Sequence, residues 1–193
     1  MKTIFLAIGL ILITACSTTS PTPNYYLLET KLTAKERANQ RVIGFGPVEI
    51  AGYLDKPQLA IRGSDNQVEF AEFHRWASNL RGLIIDTLQY DLSNELDTDF
   101  ILTYPWRKSD EVDFALIINI QRFDGKFAAS GQLHSAYLEA SVKITSKEGV
   151  YKFETYSLSE TFHDATYNSL VSAQRKLLLK LSQSLANRLK QLE

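Results

Sequence analysis

Two periods of hydrophobic repeat divide the chain. In residues 41–50 (RVIGFGPVEI), Val42, Val48 and Ile50 share a phase with Gly44 and Gly46, which predicts a strand whose glycine-bearing face lets another element approach closely. Residues 25–28 read as a shorter strand ahead of it. Residues 58–62 and 67–70 predict a hairpin closed by Gly63-Ser64-Asp65-Asn66. Around Phe73 the period changes. Trp76, Leu80, Leu83, Ile84, Leu88, Leu92 and Leu96 recur at three- and four-residue steps, with Arg81, Asp86 and Asn94 between them. This predicts an amphipathic helix of about twenty residues. Gly82 inside it costs about 1 kcal/mol relative to alanine, and close packing is the expected reason for its presence.

Residues 100–104 form a short strand closed by Pro105. In residues 112–123, Phe114, Leu116, Ile118 and Ile120 alternate with residues that are themselves mostly apolar, which predicts a central strand covered on both faces. Residues 133–145 alternate cleanly, with Ala136, Leu138, Ala140, Val142 and Ile144 inward and Glu139, Ser141 and Lys143 outward. After a turn at residues 146–149, the phase of residues 150–162 slips between Phe153 and Tyr156, the mark of a bulge or an edge. Residues 169–192 close the chain with a second amphipathic helix, its stripe running through Leu170, Ala173, Leu177, Leu181, Leu185, Leu189 and Leu192. The order strands, helix, strands, helix predicts an α+β fold, a mainly antiparallel sheet with two long amphipathic helices packed on one face.

The first residues follow neither pattern. Lys2, an apolar run over residues 4–13, and Thr14-Ala15 before Cys16 have the form of a secretory signal. The run is short of the roughly 20 residues that a membrane-spanning helix needs. An ordinary signal peptide with a chance cysteine, or an uncleaved anchor, would look similar. Ile13-Thr14-Ala15-Cys16, however, resembles the bacterial lipobox, in which the cysteine becomes the acylated first residue. Cys16 is the single cysteine of the chain, so no intramolecular disulfide can use it. Each buried methylene contributes about 0.8 kcal/mol, and one acyl chain holds only marginally; the lipobox implies a diacylglycerol group plus an amide-linked chain on Cys16. By the sorting rule of bacterial lipoproteins, Ser17 at the next position admits export to the outer membrane, facing the periplasm. The organisation expected is a signal peptide (residues 1–15), the lipidated cysteine with a Pro-containing flexible linker (16–24), and one periplasmic domain (25–193). Fully extended, the linker spans only about 25 Å, so the body is expected to sit near its membrane.

Charge adds an exclusion. The formal net charge is -1, and loss of Lys2 with the signal makes it -2, which supplies no basic surface for nucleic acid. His74, His134 and His163 lie far apart, in no recognised metal-ligand spacing. His134 falls on an inward strand phase, where a hydrogen-bonded core or interface histidine is a more ordinary reading than a metal ligand. No G-x-S-x-G elbow or P-loop occurs, and Gly44-x-Gly46 lacks the third glycine of a dinucleotide fingerprint. Asp110, Glu111 and Asp113 could do acid–base work, although they follow Arg107-Lys108-Ser109 in a loop and a solvated turn is the better reading. The sequence therefore predicts neither an enzyme nor a metal centre, and no cofactor beyond the covalent lipid on Cys16. The aromatic residues are more suggestive: Tyr104-Pro105-Trp106 ends a strand and Tyr25-Tyr26 opens the body, and such rings either anchor partners or close a core.

Several segments in order resemble the ABC-type transport auxiliary lipoproteins. Gly44-Phe45-Gly46-Pro47-Val48-Glu49-Ile50 followed by Tyr53-Leu54-Asp55-Lys56-Pro57-Gln58 is similar to that family's V-G-P-V-x-I-P-x-Y-L-D-R-P-Q stretch. Residues 69–77 (EFAEFHRWA) match its A-E-x-x-R-W-A segment, and Tyr104-Pro105-Trp106 and Arg122-Phe123-Asp124-Gly125 continue the likeness. Ala51-Gly52 and Lys56 depart from the pattern mildly. The resemblance implies a non-catalytic subunit of an intermembrane lipid-transport system. Its partner would be an inner-membrane-anchored protein whose MCE domains bridge the periplasm, met at the outer-membrane lipid, with a homo-oligomeric ring as one arrangement. A domain that itself carries phospholipid between sheet and helices is the alternative. On the motif positions, Tyr53, Asp55, Tyr104 and Trp106 are the expected partner-binding residues.

Overall fold

The computed structural model describes residues 21–30, 37–63, 66–107, 110–129 and 131–192. The signal segment, Cys16, Ser17 and the first part of the linker fall outside the described residues, as do Ser64 and Asp65 of the predicted hairpin turn. The elements in order are β1 (Asn24–Tyr26), β2 (Ile43–Ile50), a 3-10 turn (Gly52–Leu54), β3 (Gln58–Arg62), β4 (Val68–Trp76), α1 (Leu80–Leu96), β5 (Ile101–Thr103), β6 (Phe114–Lys126), β7 (His134–Ser146), β8 (Tyr151–Phe162) and α2 (Tyr167–Lys190).

All these strands join one sheet, and β6 is its hub. β7 lies antiparallel along one side of β6, with β8 antiparallel beyond it. On the other side, β2 pairs with the first half of β6 and β3 meets it at Ile61↔Gly125, both in parallel. β5 joins β2 in parallel, β4 joins β3 antiparallel, and β1 joins β4 in parallel. The sheet is thus mixed, which corrects the mainly antiparallel expectation. The reason is connectivity: α1 lies in the crossover between β2 and its partners β5 and β6, and such a connection returns the chain in the same direction.

Both helices lie on one face, the arrangement expected from the order of elements. They touch each other through Arg175–Asp91 and Gln183–Glu95 and cover a layer of fully buried side chains that includes Leu116, Ile118, Leu138, Leu177, Leu181 and Leu185. Each such leucine or isoleucine contributes about 1.5–3 kcal/mol through burial. The closest approach falls at Gly125, where a Cβ would lie 2.7 Å from Leu170 Cδ2 and within van der Waals overlap of its Cδ1.

Four local expectations change. The first helix starts at Leu80, not near Phe73. Residues 73–76 stay extended because their backbone pairs with β1 and β3 (Tyr26↔Trp76, Gln58↔Arg75), and the Asn79 side chain caps the helix by accepting the Gly82 N–H at 3.2 Å. Gly82 itself has open space around it, so close packing does not explain it. In β2 the core phase is Ile43 and Phe45, then Val48 and Ile50, because the register shifts between Phe45 and Val48. Gly46 takes a positive φ of 106° there and Pro47 has no N–H for the ladder. β6 is central, but its second face is open: Ile117 is 40% exposed, and Asn119 and Gln121 are exposed beside it. β8 is an edge with unbroken register to β7. Its apparent phase slip arises because Phe153 points away from the helices while Tyr156 points toward them.

Candidate docking face

With both helices on one side, the opposite face of the sheet has no covering layer, and it divides into an apolar half and a charged half. The apolar half lies over the first residues of β6. Gly44 pairs with Ala115 and Leu102, so these three share the open face. Trp106 lies flat over this spot: a Cβ on Gly44 would come within 3.0 Å of the indole and 2.9 Å of Val112 Cγ1. The close approach expected of the β2 glycines is therefore made by the Trp106 ring. Tyr104 stands edge-on to Trp106, with centroids 5.6 Å apart, and remains 54% exposed. The Tyr104 N–H donates to the Phe45 carbonyl at 2.9 Å, which fixes the corner where β2 and β5 end. Across the sheet, Ile117 lies opposite Lys143, and Lys143 lies opposite Phe153. The Lys143 ammonium sits 5.0 Å from the Tyr151 ring and 6.0 Å from the Phe153 ring.

The charged half lies over the end of β6. A register shift between Ile120 and Arg122 turns Arg122 and Asp124 onto the open face, opposite Glu139 and Tyr137. Asp124 is completely buried there. Its Oδ2 accepts from Arg62 Nη2 at 2.7 Å and from the Tyr53 hydroxyl at 3.2 Å, and its Oδ1 accepts from Arg122 Nε at 3.0 Å. Arg122 also donates to Glu139 at 3.3 Å and stacks 3.9 Å over the Tyr137 ring. Burial of the Tyr53 phenol, reinforced by the Asp124 charge, pushes its pKa up to about 12. The 3-10 turn thus acts as a cover that is locked to the sheet through Tyr53.

The four expected partner-binding residues therefore divide. Tyr104 and Trp106 come together on the apolar half. Tyr53 is half-buried at the other end of the same face and orders it through Asp124. Asp55 joins neither group; it is exposed beside the start of α1, with Asn79 Nδ2 3.5 Å from its Oδ1. Arg62, Arg122, Asp124 and Glu139 form the network that sequence reasoning missed. One signal for it was present, since Arg122 and Asp124 alternate with the core residues Phe123 and Gly125 and so share the opposite face.

The residues considered for catalysis have other partners. Asp110 accepts the Arg107 N–H at 2.7 Å, and Asp113 accepts the Val42 N–H at 2.9 Å, so both close loops. His134 is buried between Phe127 and Phe162, and its Nδ1 accepts the Ala128 N–H at 2.9 Å. It lines a pocket of about 540 Å³ that His163 also borders. Among the described residues, no group of three or more His, Cys, Asp or Glu side chains could hold a metal ion, and no helix is long and apolar enough to cross a membrane.

The family model of the ABC-type transport auxiliary lipoprotein component matches residues 25–186. The chain belongs to this family. Two solved structures share the fold of this auxiliary lipoprotein. An uncharacterized protein superposes with a TM-score of 0.72 at 18% identity, covering 88% of this chain and 99% of its own. Protein XCC0632 from Xanthomonas campestris, ascribed to DUF330, superposes with a TM-score of 0.69 at 14% identity, covering 84% and 92%. At such identities the likeness shows the fold alone. No curated protein matches the sequence. Both the Tyr53 and Arg122-Phe123-Asp124-Gly125 segments and the Tyr104-Pro105-Trp106 segment, quoted above for the family resemblance, converge on the open face.

Proposed function

We propose that this auxiliary lipoprotein is the outer-membrane docking subunit of an MCE-type intermembrane lipid-transport system, a non-catalytic component that supports envelope integrity. The observation that carries the reading is that Tyr53, Arg122, Asp124, Tyr104 and Trp106, from three of the family segments, come to the sheet face opposite the helices, with Tyr104, Trp106, Ile117 and Phe153 exposed or half-exposed on it. Large apolar patches of this kind on a protein surface mark interaction sites. In this reading, acyl groups on Cys16 hold one end at the outer membrane. A PqiB-like protein, anchored in the inner membrane and carrying MCE domains, meets the other side. The family segments resemble those of PqiC, the lipoprotein of the paraquat-inducible Pqi membrane-integrity system. Several copies arranged as a ring would match the symmetry of an MCE assembly.

Two measurements test this. Chemical crosslinking in cells followed by pull-down should recover an MCE-domain protein, and its repeated absence from an otherwise efficient pull-down would refute the docking role. Cys16→Ala should move the protein from the outer-membrane fraction to the soluble periplasm; an unchanged membrane fraction would refute the anchor.

One observation favours a second reading, in which the domain carries lipid itself. A groove of about 680 Å³ runs between β1 and α2, with Tyr25, Leu27 and Val171 on its walls. The layer between sheet and helices, where a carrier site was expected, is filled by the buried leucines and isoleucines described above. Native mass spectrometry of the protein released from membranes distinguishes the two: a co-purifying lipid supports carriage, and a clean apo mass dismisses it.

A further inference from the structure

The linker joins the body at one particular end of the sheet. β1 runs parallel to β4, with Asn24 opposite His74. The His74 ring stacks on Tyr167 at the start of α2, with 3.7 Å between centroids. Tyr167 stands edge-on to Phe127, 5.2 Å away, and Phe127 meets His134 and Phe162. These rings tie the entry of the chain to the β6–β7 loop (residues 127–133) and to the turn from β8 into α2. The opposite end carries the start of β6 and the β7–β8 turn. It lies about 30 Å from Asn24 along the strands, at about 3.3 Å per residue, beyond the roughly 25 Å that the linker spans when fully extended.

The loops at the two ends differ in chemistry. Between Lys126 and His134 no residue is charged, and the adjoining turn before α2 adds His163 and Asp164. The far end carries Arg107, Asp110, Glu111, Asp113, Lys147 and Glu148. The β6–β7 loop is also fixed in shape: the Ala128 N–H donates to His134 Nδ1 at 2.9 Å, and the Gln132 N–H donates to the Ala129 carbonyl at 3.1 Å. Burial of His134 turns its neighbour Leu133 outward, 47% exposed. Tyr25 and Leu27, on the β1 edge beside the linker, are 63% and 54% exposed.

We infer that this end of the body is seated on the membrane: Leu133, Tyr25 and Leu27 enter the interface of the phospholipid leaflet that holds the acyl groups of Cys16. The uncharged loop enters without desolvating an ion, which would cost far more than a leucine returns, and tyrosine suits the boundary between headgroups and chains. The charged groups around these residues, Lys126, Glu69, Glu72 and Arg75 among them, stay at headgroup level. Tyr104, Trp106, Tyr151 and Phe153 then face away from the membrane, toward a partner in the periplasm. This seating rests on the acylation of Cys16 and on the docking role proposed above, and it gives that role an orientation.

Site-specific fluorescence on the full-length acylated protein tests it. With Cys16 acylated, an introduced cysteine is the single thiol open to an environment-sensitive dye. Leu133→Cys, Leu27→Cys, Ile117→Cys and Phe153→Cys are labelled one at a time, after mass spectrometry has established the acyl groups. Each protein is then reconstituted in vesicles of phosphatidylethanolamine and phosphatidylglycerol. The dye in the Leu133→Cys and Leu27→Cys proteins should shift its emission to the blue and be quenched by lipid brominated on its acyl chains. In the Ile117→Cys and Phe153→Cys proteins it should do neither. Quenching should persist at high salt and without phosphatidylglycerol, because the contact is apolar. Leu133→Asp should lessen the quenching in the Leu27→Cys protein with the circular dichroism unchanged. Equal quenching in all four proteins, quenching in the Ile117→Cys or Phe153→Cys protein alone, or quenching that salt abolishes overturns the inference. An acylated protein that shows no quenching at any site overturns the seating and leaves the docking role standing. A protein found without acyl groups overturns the anchor and the seating together.

Discussion

Replacing Gly125 with alanine inserts one methyl group between β6 and the start of α2. The new Cβ would lie 2.7 Å from Leu170 Cδ2 and 3.1 Å from its Cγ, and would overlap Cδ1. Ordinary carbon contacts lie at about 3.5–4.0 Å, so Leu170 must move by about an ångström. Leu170 is fully buried, so its displaced branch must move against its packed neighbours. Overpacking of this kind costs about 1–3 kcal/mol. For a chain of this length that lowers Tm by about 2–4 °C per kcal/mol. Leu170→Ala alone should cost about 2–5 kcal/mol through its cavity. The decisive measurement is the double-mutant cycle by urea denaturation. In the Leu170→Ala background the added methyl has room, so Gly125→Ala should cost almost nothing there, giving a favourable coupling of about 1–3 kcal/mol. Additive losses would refute the claim that this glycine exists for the approach of α2. So would a single-mutant loss below about 0.5 kcal/mol, which is what an ordinary surface site gives.

Other outcomes follow from the same geometry. Asp91 is 3% exposed, with both carboxylate oxygens 2.7 Å from Arg175; Arg175→Met leaves that charge buried and unpaired, which should cost about 3 kcal/mol at neutral pH. Burial holds the Asp91 pKa above its ordinary value even against Arg175. Its contribution is therefore complete below the ordinary carboxylate range and declines as pH rises through the folded value. The variant should accordingly approach wild type in acid and fall furthest behind near neutrality, and a pH-independent deficit would contradict this. Tyr53→Phe removes one hydrogen bond to a buried carboxylate and should cost about 1–2 kcal/mol in urea denaturation. Because the phenol pKa is raised to about 12, the wild-type protein should lose stability between the ordinary tyrosine range and that value, and the variant should lose less over the same interval. Gly82→Ala, in open space within α1, should raise stability by about 0.5–1 kcal/mol, and a loss on thermal melting would mean that the glycine has an unseen contact.

Much of the candidate face was legible as chemistry and illegible as geometry. Tyr104 and Trp106 stood out as aromatic residues at a strand end, and their meeting there follows from two residues of separation. The Asp124 network could not be read in this way. Arg62 and Tyr53 lie far from Asp124 along the chain, and they reach it only because β3 comes beside the end of β6 and the 3-10 turn folds over both. The openness of the face was missed for a related reason. The second face of β6 carries Ala115 and Ile117 and then Asn119 and Gln121, a pattern that fits a strand under a light cover as well as one that awaits a partner.

By itself the sequence determined the periodic elements: the clean alternation of β7, the leucine stripe of α2, the hairpin of β3 and β4, and β8 as an edge. These depend on local period, which side-chain direction along a helix or strand sets directly. The net charge of -1 is likewise read without any fold. Tertiary structure decided the rest. It extended β4 to Trp76 by pairing it with β1 and β3, and it set four strand pairs parallel through the crossovers between them. It also put both helices on one face and so left the other bare. An amphipathic helix specifies which of its own sides is buried but not which face of a sheet receives it. That choice belongs to connections between distant segments, and here it leaves the candidate face open.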